Sequence, residues 1–119
     1  MRVPLFHVAH SRSGDKGDSQ TVSLIPYDRA DYALLAEAVT PDAVRRHFGP
    51  LVRGGVRRYD LPRLAALNFV LDGALEGGVN TSLALDTHGK SRSAVLLAME
   101  IEVPDAHPGA RRYASEGLP

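Results

Sequence analysis

The stretch on which the fold turns is Pro62-Arg63-Leu64-Ala65-Ala66-Leu67-Asn68-Phe69-Val70-Leu71-Asp72-Gly73-Ala74-Leu75-Glu76-Gly77-Gly78. Leu64, Leu67, Leu71, Ala74 and Leu75 fall within one arc of a helical wheel, the spacing of a helix with a single buried stripe. Proline suits a first helical turn and glycine a helix end, so the pattern predicts a helix opened near Pro62 and closed by Gly77-Gly78. On that wheel Asn68 lies at the margin of the leucine arc, where its amide needs a hydrogen-bond partner. Phe69 falls opposite the leucines, among Ala65, Asp72 and Glu76, and is therefore expected on the surface.

Before this stretch, β-branched and aromatic residues between Gly54-Gly55 and Pro62 predict a strand over about Val56 to Asp60. Further upstream Thr40 is a good N-cap, Pro41 fits the first helical position and Gly49 follows Phe48, which predicts a short helix from Pro41 to Phe48. Asp28 can cap an earlier helix whose apolar positions are Tyr32, Leu35, Ala36 and Val39. Leu5 to His10 and Thr21 to Tyr27 read as a hairpin, with Phe6 and Val8 alternating in one strand and Val22 and Leu24 in the other. Their connection, Ser11 to Ser19, is dense in turn formers and charge and is expected to be a surface loop.

Downstream, Ser82–Asp86 and Ser93–Val103 read as a closing hairpin around the turn Thr87-His88-Gly89-Lys90, with Val95, Leu97, Met99, Ile101 and Val103 on one face. From Pro104 no apolar period remains, so the domain is expected to span residues 1–104 and residues 105–119 to form a mobile tail. This order of elements predicts an α+β fold, a ferredoxin-like sandwich with an antiparallel-rich sheet and helices on one face.

The 119 residues suit one domain, and 14 basic against 14 acidic residues leave no field to gather phosphate backbones. Aromatics make up only 6% of the chain and tryptophan is absent, so a base-stacking platform has little to be built from; nucleic acid is not an expected partner. Without cysteine there is no disulfide framework and no thiolate site, which fits the cytoplasm. The apolar runs are too short for a membrane span. His7 and His10 stand three positions apart, hence on opposite faces of a regular strand, so no metal site is expected, and no cofactor.

The polar cluster Arg12-Ser13-Gly14-Asp15-Lys16-Gly17-Asp18 could form a backbone anion nest. It matches neither the phosphate-loop pattern nor an EF-hand. A second polar turn, Asp86 to Lys90, can lie at the same end of the sheet as Gly77-Gly78. No G-x-S-x-G elbow occurs, so no catalytic triad is assigned.

In combination, Ser11-Arg12-Ser13-Gly14-Asp15-Lys16-Gly17-Asp18, Leu67-Asn68-Phe69-Val70-Leu71, Leu75-Glu76-Gly77-Gly78-Val79 and Asp86 with Gly89-Lys90 resemble the AtuA-like ferredoxin-fold domain over about Leu5 to Pro104. That is the C-terminal domain of the acyclic terpene utilisation family, usually fused behind a larger domain, in pathways degrading acyclic terpenes and related branched acyl-CoA compounds. The resemblance implies a free-standing accessory or interaction domain whose partner is a separate large AtuA-type subunit, while exposed sheet edges at the two expected hairpins are compatible with a homo-oligomer. It carries Arg12, Ser13, Asp15, Lys16 and Asp18 as the loop motif, Asn68 as the helix motif, and Asp86 and Lys90 as the turn motif; Phe69 is the expected partner anchor. The alternatives are a homo-oligomeric ligand-binding module and a small autonomous enzyme using the Arg12–Asp18 loop. In the enzyme, Asp15 or Asp18 would act as general base while Lys16 or Arg12 holds a carboxylate or phosphate.

Overall fold

Gln20, Val22, Leu24 and Pro26 are buried and alternate with half-buried Ser19, Thr21, Ser23 and Ile25, the period of two that gives a strand one core face. The computed structural model describes residues 1–16, 19–73 and 90–117, and of Asp15, Lys16, Lys90 and Ser91 the backbone alone. This strand, β4 (Ser19–Pro26), pairs on one side with β2 (Ala9–His10) and β3 (Ser13–Lys16), and on the other with β6 (Ala66–Asp72). β5 (Val56–Leu61) pairs with the far side of β6, and every pairing is antiparallel. A separate antiparallel pair joins β1 (Arg2–Pro4) to β7 (Glu100–Glu102).

Since β4 and β5 both run against the β6 between them, they are parallel, and the helical segment linking them is a crossover. That split unit, with helices on one face, is the α+β ferredoxin-like sandwich. The core gathers Val22, Leu24, Leu67, Phe69 and Leu71 from the sheet. Against them pack Leu35 of α1 (Tyr32–Ala38), Val44 and Phe48 of α2 (Pro41–Phe48), and Leu96 of α3 (Lys90–Leu97), all at most 2% exposed.

The residues expected as the helix from Pro62 are instead a short 3-10 turn, Pro62–Leu64, followed by the central strand β6. Leu67 and Leu71 are four apart, a spacing that both a helix and a strand place on one face. Phe69 distinguishes the two: a helix turns it outward, whereas the strand's period of two sets it between those leucines, fully buried. Leu64, counted in the expected stripe, is 66% exposed. Ala65, at φ 50°, ψ 51°, is in the left-handed region and separates the turn from the strand. The expected closure at Gly77-Gly78 lies outside the described residues.

Other expectations also change. The loop Ser11–Ser19 is mostly strand: β3 continues the register of β2, from Ala9 opposite Pro26 to Lys16 opposite Ser19. Pairing with a well-anchored β4 outweighs the low strand propensity of Ser13, Gly14 and Asp15. Leu5–His10 is not one strand, because Leu5–His7 form a 3-10 turn that leaves Phe6 45% exposed. His7 and His10 therefore do not alternate along one strand: His7, in the turn, is buried and His10, in β2, is exposed. Ser93–Val103 divides into the end of α3 and β7, whose partner is β1. Ser82–Asp86 and Thr87–Gly89 lie outside the described residues.

Residues 108–117, expected to be mobile, form helix α4 (Pro108–Gly117). It docks through polar contacts, which an apolar pattern does not reveal: Arg112 donates to the His7 carbonyl, and its guanidinium stands over the Tyr27 ring. Glu116 Oε1 lies 3.0 Å from His7 Nε2, a close polar approach without hydrogen-bond geometry. Ala110, 1% exposed, supplies a small apolar contact.

Local capping signals agree with the structure. Thr40 Oγ1 accepts from Ala43 N–H at 3.1 Å, Pro41 opens α2 and Gly49 follows it at φ 54°. Thr40→Ala is expected to cost about 1 kcal/mol, a drop of roughly 4 °C in melting temperature. A calorimetric melt checks this, and an unchanged Tm would show that the cap is dispensable.

Candidate functional site

The β-ladder sets Arg12, Ser23, Asn68 and Tyr59 in one row across the sheet face opposite the core. Asn68 is opposite Ser23 on one side and Tyr59 on the other. Ser23 joins Arg12 to the row: its N–H donates to Arg12 O at 2.9 Å and its Oγ accepts from Arg12 N–H at 3.1 Å. Ser23 O in turn accepts the Ser11 hydroxyl at 2.5 Å. Side-chain hydroxyls thus replace one backbone rung at the break between β2 and β3, satisfying groups that the break would leave bare.

On the same face Arg57 Nη2 donates to Asp72 Oδ1 at 3.1 Å and Nη1 to the Tyr59 hydroxyl at 3.3 Å. The hydrogen bond to Asp72, then the Asp72 charge, and then Tyr59 hold the Arg57 guanidinium above its ordinary range. At this exposure the pair orients the two side chains more than it stabilises the fold. Arg12 and Tyr59 are exposed and Ser23 and Asn68 half-buried, so a guanidinium, an amide and a phenol present donors and acceptors over an open sheet. Such a surface is suited to recognition.

Among the described residues, two cavities lie away from this row. A groove of about 470 Å3 runs between α2 and β7, lined by Arg2, Arg46, His47 and Glu100 among others. A smaller one, about 190 Å3, is lined by Tyr27, Asp31, His107 and Arg112. It contains a His–Asp pair, His107 Nε2 to Asp31 Oδ2 at 2.9 Å, but His107 Nδ1 accepts the Gly109 N–H at 2.8 Å. The proton therefore sits on Nε2 and both ring nitrogens are engaged. This imidazole holds the start of α4 in place and has no lone pair free to act as a base.

Of the residues singled out from sequence, Arg12 and Asn68 lie on either side of Ser23 in one row. Ser13 lies on β3 opposite Val22, facing the core, and its Oγ is buried with no hydrogen-bond partner among the described residues. Asp15 pairs with Gln20 and Lys16 with Ser19 in the ladder. Lys90 is the first residue of α3. Asp18 and Asp86 lie outside the described residues. Phe69 belongs to the core, which removes it as a surface anchor.

Pattern reading missed Ser23 and Tyr59, which look like ordinary strand residues until the register is known. It also missed Gln20 and Arg92, respectively 1% and 7% exposed. Arg92 precedes buried Leu96 by four positions on α3, and α3 packs on β3 and β4. The sequence signal for it, a helical i, i+4 pair, is hidden by the strand expected from Ser93 onward, which takes in Leu96 but not Arg92. Among the described residues no group of three or more His, Asp or Glu could hold a metal ion, and no helix is long and apolar enough to cross a membrane.

Compared with protein families, residues 3–102 match the model of the AtuA ferredoxin-like domain. The chain belongs to that family. The match covers the strands from β1 to β7 and ends before α4. No curated protein and no solved structure matches the chain significantly.

Proposed function

We propose that this chain is an accessory interaction domain that docks onto a separate large AtuA-type subunit and serves the breakdown of acyclic terpenes or branched acyl-CoA compounds. The carrying observation is the row of Arg12, Ser23, Asn68 and Tyr59. Arg12 and Asn68, far apart in sequence and both in family-like motifs, flank Ser23 in one row on the sheet face opposite the core. Polar side chains held by a rigid ladder are pre-organised for hydrogen bonding to a partner surface, which lowers the ordering cost of association.

The test is co-purification of the chain with a large AtuA-type protein of the same organism, using Arg12→Ala and Asn68→Ala. Both variants are expected to melt within about 1 kcal/mol of wild type, as surface substitutions do, and to lose at least roughly tenfold in affinity. Retention of the complex by both variants would remove the face from the docking site. Failure of wild-type protein to bind any large AtuA-type subunit would refute the accessory role.

A further inference from the structure

β5 is the outer strand of the sheet, and among the described residues no strand pairs with its free edge. The ladder to β6 fixes which backbone groups point outward. Asp72 N–H donates to Gly55 O at 3.0 Å, so this pair is hydrogen-bonded. By the alternation of an antiparallel ladder, so are Arg57 with Val70, Tyr59 with Asn68 and Leu61 with Ala66. The N–H and C=O groups of Val56, Arg58 and Asp60 therefore face away from the sheet.

A second copy can meet that edge antiparallel only about a twofold axis perpendicular to the sheet. Such an axis keeps opposed residues on the same face, so facing positions must be an even number of residues apart or identical. Two registers overlap β5 most fully. One is centred on Arg58 and sets its guanidinium against itself. The other is centred on Tyr59 and sets Arg58 opposite Asp60 of the partner subunit, twice. Like charges directly opposite destabilise a strand pair and unlike charges support it. We propose that the chain forms a twofold homodimer through its β5 edges in the Tyr59-centred register.

The monomer is already arranged for it. Arg58 Nη1 donates to Ala36 O at 2.7 Å and Val39 O at 3.1 Å, while Nε holds Asp60 Oδ1 at 2.7 Å. In the pair each Arg58 stands between its own Asp60 and that of the partner subunit, giving alternating charge along the seam. Arg58 and Asp60 are hydrogen-bonded neighbours across the axis, and Tyr59 meets its symmetry mate at a non-hydrogen-bonded position, where side chains are closest. Tyr59, Leu61 and Leu64, respectively 47%, 40% and 66% exposed, lie at or beside this edge and provide apolar area to bury. The two open sheet faces then lie on the same side of one wider sheet. Dimerisation is independent of the docking reading and is tested on the isolated chain.

The chain has no cysteine, so a single introduced thiol reports the register directly. Tyr59→Cys should cross-link rapidly on mild oxidation, because non-hydrogen-bonded partners sit about 4.5 Å apart at Cα, within disulfide reach. Arg57→Cys and Leu61→Cys should each fail alone, their symmetry mates being about 13 Å away, yet cross-link when mixed. Wild-type protein should sediment at twice its 12.8 kDa mass. Asp60→Lys, facing Arg58 of the partner subunit, should raise the dimer dissociation constant by on the order of tenfold or more. Circular dichroism confirms that each variant is folded. A monomeric wild type across the concentration series overturns the proposal, as does cross-linking of Tyr59→Cys no faster than that of Arg57→Cys.

Discussion

Phe69→Ala is expected to cost about 3–5 kcal/mol, most of the stability of a small domain, and to lower the melting temperature by more than roughly 10 °C. The side chain is fully buried at the centre of β6, opposite Val22 on one neighbour and Arg58 on the other. Removing the ring leaves a cavity that Leu67 and Leu71, fixed on the same strand, cannot close by moving independently. Phe69→Leu, which retains most of the volume, should cost about 1.5 kcal/mol or less. Phe6, 45% exposed, is the internal comparison: Phe6→Ala should cost about 1 kcal/mol. Urea denaturation of the three variants settles the order. If Phe69→Ala melts with wild type, the residue is not in the core.

The same residues show where sequence reading succeeds and where it fails. Thr40-Pro41 and Gly49 delimit α2 because a cap acts within one turn and needs no tertiary knowledge. Asp28 is legible for the same reason, its carboxylate accepting Ala30 N–H at 2.9 Å ahead of α1. β4 and β5 are also visible locally, through alternation and residue type. At Leu67 and Leu71 the local signal is degenerate, since a four-residue spacing satisfies both periods. The choice is made by the pairing of β6 with β4 and β5, which lies outside any local window.

The candidate site was partly legible on the same terms. Arg12 and Asn68 stand out by composition, but their places on either side of Ser23 depend on two long-range registers. Phe69 is not a surface anchor, because the strand's period of two, not the helical wheel, sets its exposure. Arg92 was hidden by the same kind of error, since Val95, Leu97 and Met99 imitate a strand while Leu96 is the residue that α3 buries. β3 shows the converse case: residues with turn chemistry are drawn into a strand because β4 is already ordered beside them.

Gly109→Val is the second substitution expected to have a large effect, about 3 kcal/mol, and it bears on a segment outside the family match. A Cβ at Gly109 would stand 2.9 Å from His7 O, 3.0 Å from Val8 Cγ2 and 3.1 Å from His107 Nδ1. None of the three can yield cheaply. His7 O accepts from Arg112, Val8 is core, and His107 is held between Asp31 and the Gly109 N–H. The strain is therefore relieved by lifting the start of α4, which breaks the Gly109–His107 bond and weakens the grip of Arg112 on the His7 carbonyl. Because α4 packs on β1 and on the turn Leu5–His7, its release uncovers the edge of a core that the matched domain does not close by itself. Hydrogen exchange should then speed up together at residues 5–8 and 108–117, while β4 and β6 keep their protection. A Gly109→Val protein with wild-type melting and protected α4 amides would mean that the helix is not seated this closely. Exchange that accelerates throughout the sheet would instead make α4 part of the same cooperative unit, and its removal would then unfold the domain rather than uncover one edge.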